Sequence, residues 1–252
     1  VPNWLYNKMR EPRLFKGDLK MPDYRFSDED AEAVTTYLLS LTAEKVPAQY
    51  YHPLGERPSG YDPQGDFGKV LEKYRCLVCH RIRGKGGTLA PDLSREGSRI
   101  RKEWLRDYLR KPDTIRPILV ERMPQMKITD ADIQILDAYI RAALLDDKVE
   151  NLAGEVRGMR LGDPEAVRRG SRLYFEKYAC DACHQINLKG GTIGPDLTHS
   201  GKRLRPEWVL LWLRNPKAFL PRSVEPVYAF PQREIEDLAA FVLSPKGGKG
   251  TP

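Results

Sequence analysis

The sequence predicts a mainly α-helical protein that contains two copies of one domain. Apolar residues recur at helical spacing in several segments, for example at Phe67, Val70, Leu71 and Tyr74. No segment of any length alternates apolar and polar residues as a half-buried strand would. The pattern also occurs twice, because the chain repeats itself with an offset of 104 positions. We therefore expect an all-α fold with two similar domains.

The repeat defines the predicted domain limits. Its matched positions are Tyr74 with Tyr178, Gly86-Gly87-Thr88 with Gly190-Gly191-Thr192, Pro91-Asp92-Leu93 with Pro195-Asp196-Leu197, Glu103-Trp104 with Glu207-Trp208, and Pro112 with Pro216. We predict one domain at 64–146 and a second at 163–245. Residues 46–63, which are rich in Pro, and residues 147–162 are predicted as linkers. Residues 246–252 are predicted as a flexible tail.

Each domain begins with a helix that leads into a loop. In the first copy this helix is predicted over 66–75, and Asp163-Pro164 is a favourable N-cap and first-turn pair for its counterpart. The Gly-rich stretch 84–87 breaks the helix and is predicted as a loop.

A middle helix and a last helix follow. The middle helix is predicted from Lys102 to Arg110, and its counterpart begins at Pro206 and ends before Pro216. The last helix of the first copy carries apolar residues at helical spacing, and Thr129 followed by Asp132 resembles a capping box for it.

The N-terminal segment resembles only the second half of this repeat. The matches are Trp4 with Trp104, Pro12 with Pro112, Met21-Pro22 with Met123-Pro124, and Ser27 with Thr129 as the cap of the last helix. We predict residues 1–45 as the C-terminal half of a third domain. Either a preceding half belongs upstream of Val1, or the segment is a remnant that packs on a neighbouring domain.

The chemistry-bearing residues lie in two C-x-x-C-H stretches, 76–80 and 180–184, which contain all four cysteines. On a helical turn, positions i, i+3 and i+4 share one face. Two thiols there can form thioethers to a porphyrin, and the following His can direct a ring nitrogen at the iron, which is the signature of c-type haem attachment. A zinc site would need four ligands, and only His52 and His199 remain. A thioredoxin-like pair would not explain the His after each second Cys.

Composition is that of a folded, charged domain protein. Of 252 residues, 31% are charged and 40% are hydrophobic, and no apolar run approaches the roughly 18 residues that would span a bilayer. The formal charge is +7, which the four carboxylates of two haems would reduce. We expect no transmembrane segment, and no motif supports nucleic-acid binding.

These motifs together resemble class I cytochrome c domains fused in tandem. The resemblance covers about 64–145 and 164–244, with the half-domain at 1–42. It implies an all-α fold of two tandem class I cytochrome c domains plus an orphan N-terminal half-domain. It also implies two covalently attached haem c groups. Their attachment residues would be Cys76, Cys79, Cys180 and Cys183.

The resemblance also implies axial ligands. In this family a His is the proximal ligand and a Met sulfur the distal one, which implies His80 and Met123 on the first iron and His184 on the second. Met126 competes with Met123, but Met123 precedes a Pro and matches Met21.

Groups around the ligands are implied in the same way. The Pro91 and Pro195 carbonyls would accept the second ring N–H of each His and so fix its orientation. Trp104 and Trp208 on the middle helices would support the two haems.

The second copy departs from the family pattern at its distal ligand. No Met follows Cys183, and Glu225-Pro226 stands where the first copy has Met123-Pro124. Glu225 would bind weakly or leave the iron open to water. Alternative ligands are His199, Met21, Met159, Tyr228 or a Lys. Because a thioether raises the reduction potential, we expect the second haem to have the lower potential.

A run of basic residues lies in the first copy: Arg95, Arg99, Arg101, Lys102, Arg106, Arg110, Lys111 and Arg116. It is either a solvated helix face or a docking surface for an acidic redox partner.

The favoured function is a dihaem relay of single electrons between a redox donor and acceptor, with a membrane quinol-oxidising or other respiratory complex as a possible partner. The alternative is a haem enzyme or ligand sensor that uses an open second iron, with Glu225 as acid or base. A third hypothesis is a structural haem subunit. Covalent haem attachment normally takes place outside the cytoplasm, so we expect an extracytoplasmic location, periplasmic or on the outer face of the cytoplasmic membrane, and a removed or omitted export segment.

Overall fold

The computed structural model describes residues 2–14, 21, 23–41, 61–119, 122–220, 223 and 225–245. Most of the predicted linker 46–63 and all of the predicted tail 246–252 lie outside these residues. The chain divides into two compact units, Val1–Ser94 and Arg95–Pro252. This division falls inside the predicted domain 64–146, and the predicted domain limits stay predictions.

The first unit contains three helices and a hairpin in its described part. They are α1 (Pro2–Arg10), α2 (Asp28–Ser40), α3 (Gly65–Lys73), β1 (Arg81–Ile82) and β2 (Lys85–Gly86). A 3₁₀ turn, Cys76–Val78, lies between α3 and β1. The Gly-rich stretch that was predicted as a loop therefore forms a short antiparallel hairpin.

The second unit is helical apart from one hairpin. Its elements are α4 (Glu96–Arg99), α5 (Lys102–Arg110), α6 (Asp130–Ala143), α7 (Asp147–Glu150), α8 (Ala153–Gly158), α9 (Pro164–Arg172), β3 (Gln185–Ile186), β4 (Lys189–Gly190), α10 (Ser200–Arg203), α11 (Pro206–Arg214), α12 (Pro216–Phe219) and α13 (Gln232–Leu243). None of these helices, nor any in the described part of the first unit, is long and apolar enough to cross a membrane. The all-α prediction is confirmed.

Local sequence signals place most helix ends. Asp163 caps α9 by accepting a hydrogen bond from Glu165 N, with Pro164 in the first turn. Thr129 accepts one from Asp132 N at the start of α6, and Ser27 with Asp30 forms a full capping box before α2. Residues 147–162 differ from the prediction, because α7 and α8 occupy this linker.

A side-chain contact between a middle helix and the long helix that follows it occurs three times along the chain. It joins α1 to α2, α5 to α6 and α11 to α13. The last residue of each middle helix is an Arg, and it binds the first residue of the following long helix. The pairs are Arg10–Asp28 at 2.7 Å, Arg110–Asp130 at 3.0 Å and Arg214–Gln232 at 3.0 Å. The three middle helices also have the same length of nine residues. The assignment of residues 1–45 as half of a third domain stays a prediction.

The core of the second repeat forms where α9 crosses α13. Tyr174, Leu238 and Phe241 are buried together there. Gly170 permits the crossing, because a Cβ at this position would lie 1.9 Å from the Asp237 carbonyl oxygen. A π-helical segment, Leu173–Lys177, follows α9 and leads to the second C-x-x-C-H motif.

We expect Gly170→Ala to lower the free energy of unfolding by about 2–4 kcal/mol, because the added methyl group forces α9 away from α13. Urea denaturation of the holoprotein followed by circular dichroism measures this. Gly162→Ala is the control, since a Cβ there meets nothing within 4 Å, and its stability should stay within about 1 kcal/mol of the parent. Equal stability of the two variants would contradict the proposed crossing.

The two repeats meet in the second unit through a short antiparallel bridge between residues 99–101 and 203–205, segments that the offset of 104 makes equivalent. Ile100 lies opposite Leu204, and both are buried. The two backbone hydrogen bonds run from Arg101 N to Arg203 O (2.8 Å) and from Arg205 N to Arg99 O (2.9 Å). Four arginines flank the two bridged residues, Arg99 and Arg101 on one segment and Arg203 and Arg205 on the other.

Candidate haem sites

Each C-x-x-C-H motif forms one tight helical turn. The turn is closed by a hydrogen bond from His80 N to Cys76 O (3.0 Å) in the first copy and from His184 N to Cys180 O (2.9 Å) in the second. The residue before each turn, Arg75 or Ala179, has a left-handed backbone with φ of 53° or 47°. The two copies therefore share the geometry that the motif predicts.

The Gly-rich hairpin packs directly on this turn. A Cβ on Gly86 would lie 2.1 Å from the His80 carbonyl oxygen, and one on Gly190 would lie 2.4 Å from that of His184. Both glycines also have φ near 110°, which L-residues rarely adopt. Glycine is therefore required at both positions to hold the loop against the His.

Both His rings are oriented by a backbone carbonyl. His80 Nδ1 donates to Pro91 O at 2.8 Å, and His184 Nδ1 donates to Pro195 O at 2.9 Å. Because a carbonyl only accepts, Nδ1 carries a proton in both rings, and Nε2 is the nitrogen that is left to bind a metal once it is deprotonated. In the second copy Gly194 lies against the ring, where a Cβ would come within 2.6 Å of Nδ1. This arrangement presents Nε2 to a metal.

The cysteines do not form disulfides. Burial raises the pKa of the Cys76 thiol to about 11 and that of the Cys180 thiol to about 11. Reactive thiolates in redox pairs have lowered pKa values, so these environments do not fit a thioredoxin-like site.

The Glu225 carboxylate faces His184 in the second copy. Its Oε2 lies 3.2 Å from Nε2, and Ser223 Oγ accepts a hydrogen bond from Glu225 N. Burial opposes protonation of the His184 ring, but the hydrogen bond and charge of Glu225 outweigh it and raise the pKa of His184. The structure thus brings together the two residues that the sequence placed as proximal and candidate distal ligands.

A family model for cytochrome c matches residues 67–143 and again 167–246, which together are more than half of the chain. The chain belongs to the cytochrome c family. The prediction of two tandem cytochrome c domains is confirmed. Among curated proteins, the comparison gives no significant match. Membership implies covalent haem binding and haem-based electron transfer.

The second repeat contains two buried hydrogen-bond donors besides the residues of its C-x-x-C-H turn. Trp208 Nε1 is buried without a hydrogen-bond partner in the described part of the chain. Arg203 is a buried guanidinium on the same repeat. Both are donors suited to the carboxylates that a haem carries. The paired thiols and the oriented His184 are the groups that this cofactor needs for its attachment.

The other distal candidates of this cytochrome c lie in different settings. His199 is exposed at the start of α10. Met159 packs against the core cluster that includes Leu204 and Trp208. Tyr228 stacks on Phe230, and burial together with the nearby Cys180 and Glu225 raises its pKa.

The methionines of the first copy lie in the loop before α6. Met123 and Met126 are both partly buried there, and Gln125 fixes the loop by donating to Arg110 O at 2.7 Å. Met21 is partly buried in the first unit. Met123 as the distal ligand of the first iron stays a prediction, as does Trp104 beside the haem, where Trp104 stacks on Tyr108.

Sequence analysis missed Arg203, and it named Arg116 only as a member of the basic run. Arg116 acts electrostatically on both His184 and Glu225, although it belongs to the other repeat. The equivalence of Arg99 and Arg203 across the offset of 104 was the available signal. Half of the eight basic residues in the run that contains Arg116 make ion pairs with carboxylates of the chain: Arg95, Arg99, Arg106 and Arg110.

Proposed function

We propose that this cytochrome c carries two covalently attached haems and relays single electrons between two redox proteins. The observation that supports this proposal most directly is that both copies form the same turn and the same His-to-carbonyl hydrogen bond, with distances from Nδ1 to oxygen of 2.8 Å and 2.9 Å. When bound, each haem supplies one-electron chemistry at its iron. The chain holds it through Cys76 and Cys79 in one copy and through Cys180 and Cys183 in the other.

The two haem sites differ in the side chains that this protein provides as iron ligands. His80 and His184 serve as proximal ligands whose orientation is fixed by a carbonyl acceptor, which also raises ligand basicity. We assign Met123 as the distal group of the first site and Glu225 as that of the second. A carboxylate favours ferric iron, whereas a thioether favours ferrous iron. A haem held by His184 and Glu225 would therefore have the lower potential, and electrons would pass from that site to the one held by His80 and Met123.

This direction fits a chain placed between a low-potential donor and a higher-potential acceptor. We propose an extracytoplasmic location and a donor of the quinol-oxidising type, because haem is attached to this motif outside the cytoplasm. The acceptor is a redox protein that docks near the first haem.

Intact-mass analysis and a redox titration of holoprotein from its native host test the proposal. We expect a mass increased by two haems and two one-electron transitions in the visible spectrum, with the lower midpoint assigned to the Cys180/Cys183 haem. A colourless protein, or a mass without haem, would refute the function. A higher midpoint for the second haem would refute the direction of flow.

A second candidate function rests on the same Glu225 contact. If the carboxylate does not bind iron, the second site can take a small ligand, with Glu225 as acid or base. Carbon monoxide added to the reduced protein separates the two. An unchanged spectrum supports the relay, and rapid formation of a carbonyl complex at the second haem supports a ligand-binding enzyme or sensor.

A further inference from the structure

Three aromatic side chains of the second repeat, Tyr178, Tyr228 and Phe230, form a continuous group that we call the aromatic group. The ring centroids of Tyr178 and Tyr228 lie 5.4 Å apart. Phe230 is 4.9 Å from Tyr228 and 4.6 Å from Tyr178 by the same measure. Tyr178 and Phe230 pack against the same core cluster as Cys180. The aromatic group therefore lies beside a haem-attachment residue.

The Tyr228 phenol is the member of the aromatic group that the second candidate haem site influences most directly. Burial, then the charges of Cys180, Glu225 and Cys183, raise the pKa of Tyr228, so these groups are near enough to act on it. The phenol stays protonated at neutral pH as a result. It therefore loses a proton whenever it loses an electron.

The Tyr178 phenol has a proton acceptor of its own. Its hydroxyl donates a hydrogen bond of 2.6 Å to Glu234 Oε2. Lys177 donates to both oxygens of this carboxylate, at 2.7 Å and 2.9 Å, and its side chain is 52% exposed. The hydrogen bonds of Lys177 and then of Tyr178 lower the pKa of Glu234, so the carboxylate is ionised. A carboxylate at this distance can take the phenol proton when Tyr178 is oxidised.

The first repeat has a different sequence at two positions of the aromatic group. Met126 and Ile128 stand there in place of Tyr228 and Phe230, and only the other tyrosine is kept, as Tyr74. The complete aromatic group thus occurs in the copy whose candidate distal ligand is a carboxylate instead of a thioether. The polarity and access of the distal pocket decide whether a haem iron reacts with small oxygen species, so the copy with the weaker ligand is the one that an oxidant can reach.

We propose that Tyr228 and Tyr178 are redox-active and supply electrons to hydrogen peroxide that reacts at the second haem. Peroxide takes up two electrons and two protons when its O–O bond breaks and two waters form. Each phenol loses one electron and one proton and becomes a tyrosyl radical, with the iron ferric at the start and at the end. The Tyr228 proton goes to water, the Tyr178 proton passes to Glu234, and a solvent proton completes the second water. The proposal rests on the proposed function, because it needs a haem at residues 180–184.

Freeze-quench electron paramagnetic resonance of the ferric holoprotein mixed with hydrogen peroxide tests this. We expect a radical signal that narrows when the protein contains ring-deuterated tyrosine. Tyr178→Phe and Tyr228→Phe each keep an aromatic ring and remove one of the two phenols, so each should lower the signal about twofold. Glu234→Gln removes the proton acceptor and should slow radical formation at Tyr178.

Tyr74→Phe is the matched control, because it changes the equivalent tyrosine of the other copy and should leave the signal unchanged. A redox titration of each variant should give the parent potential for the second haem, which shows that the haem site is intact. An undiminished signal in Tyr178→Phe, or an equal loss in Tyr74→Phe, would overturn the proposal. So would a loss of signal that always accompanies a shifted potential, because the tyrosines would then be structural.

The haem content separates a failure of this proposal from a failure of the proposed function. If the intact mass shows no haem at Cys180 and Cys183, the proposed function has failed and the tyrosine pair has no role. If two haems are attached and peroxide produces no tyrosyl radical, the tyrosine pair alone is rejected and the electron relay stands.

Discussion

Replacing Cys180 and Cys183 together with alanine is expected to leave a protein with one haem instead of two. The two thiols lie on a single turn closed by the hydrogen bond from His184 N to Cys180 O, so both are needed for a double thioether link. Haem absorbance per protein should fall by about half, and the lower of the two redox transitions should disappear, since two attachment sites contribute one haem each. Intact mass and redox titration measure both effects.

The same double change should also reduce stability of the second repeat. Covalent haem is part of the domain interior, and a group that binds only the folded state stabilises it. Without it, Arg203 and Trp208 Nε1 remain buried with no acceptor from the haem. We expect a separate, earlier thermal transition for this repeat.

The control is the equivalent pair in the other copy, Cys76→Ala with Cys79→Ala. This variant should also keep one haem, but it should lose the higher redox transition and keep the lower one. If both double variants lost the same transition, or if either retained two haems by mass, the assignment of one haem to each motif would be wrong.

Local sequence patterns carry the parts of the fold that were predicted correctly. The middle helix from Lys102 to Arg110 is found with the predicted bounds, because it lies between an extended Arg101 and a residue that precedes Pro112. The C-x-x-C-H turns follow from their own spacing and from the glycines packed on them. Each of these features depends on residues that are close in the chain.

The features that were missed depend on residues far apart in the chain. The bridge that joins 99–101 to 203–205 leaves no periodic pattern, because each partner is only three residues long. The burial of Arg203 cannot be read from spacing, since it results from packing between segments that are far apart in the chain. Residues 147–162 were predicted as a linker because their sequence has few helix signals, yet they contain α7 and α8. Asp146 stabilises α7, because it caps this helix and also pairs with Arg95 at 3.0 Å.

The candidate distal residue of the second site was predicted by comparing the two repeats, although it contacts a residue that is far away in the chain. A count of sixteen residues back from Phe241 selected Glu225, and the structure places its Oε2 at 3.2 Å from His184 Nε2. The count keeps the same register in both copies because the last helix begins seven positions after Met123 in the first copy, at Asp130, and seven positions after Glu225 in the second, at Gln232. What a carboxylate does there is a question of redox chemistry, which a substitution can answer.

Replacing Glu225 with methionine is expected to raise the potential of the second haem by roughly 100 mV or more, because axial ligands tune haem potentials over a range of about 0.8 V. A thioether stabilises ferrous iron, whereas a nearby carboxylate stabilises ferric iron. The change therefore reverses both contributions at once and should bring the second haem close to the potential of the first. Redox titration measures the shift, and a charge-transfer band in the far-red spectrum of the ferric protein reports sulfur ligation.

Glu225→Gln separates the two contributions, because it keeps the side-chain shape and removes the charge without adding a thioether. Its potential should lie between those of the parent and Glu225→Met, and its spectrum should show no sulfur ligation. If both variants shifted the potential equally, only the charge of Glu225 would matter and the iron would have no distal bond to this residue. If neither shifted it, the carboxylate would lie away from the haem in the holoprotein, and the contact with His184 Nε2 would belong to the haem-free chain alone.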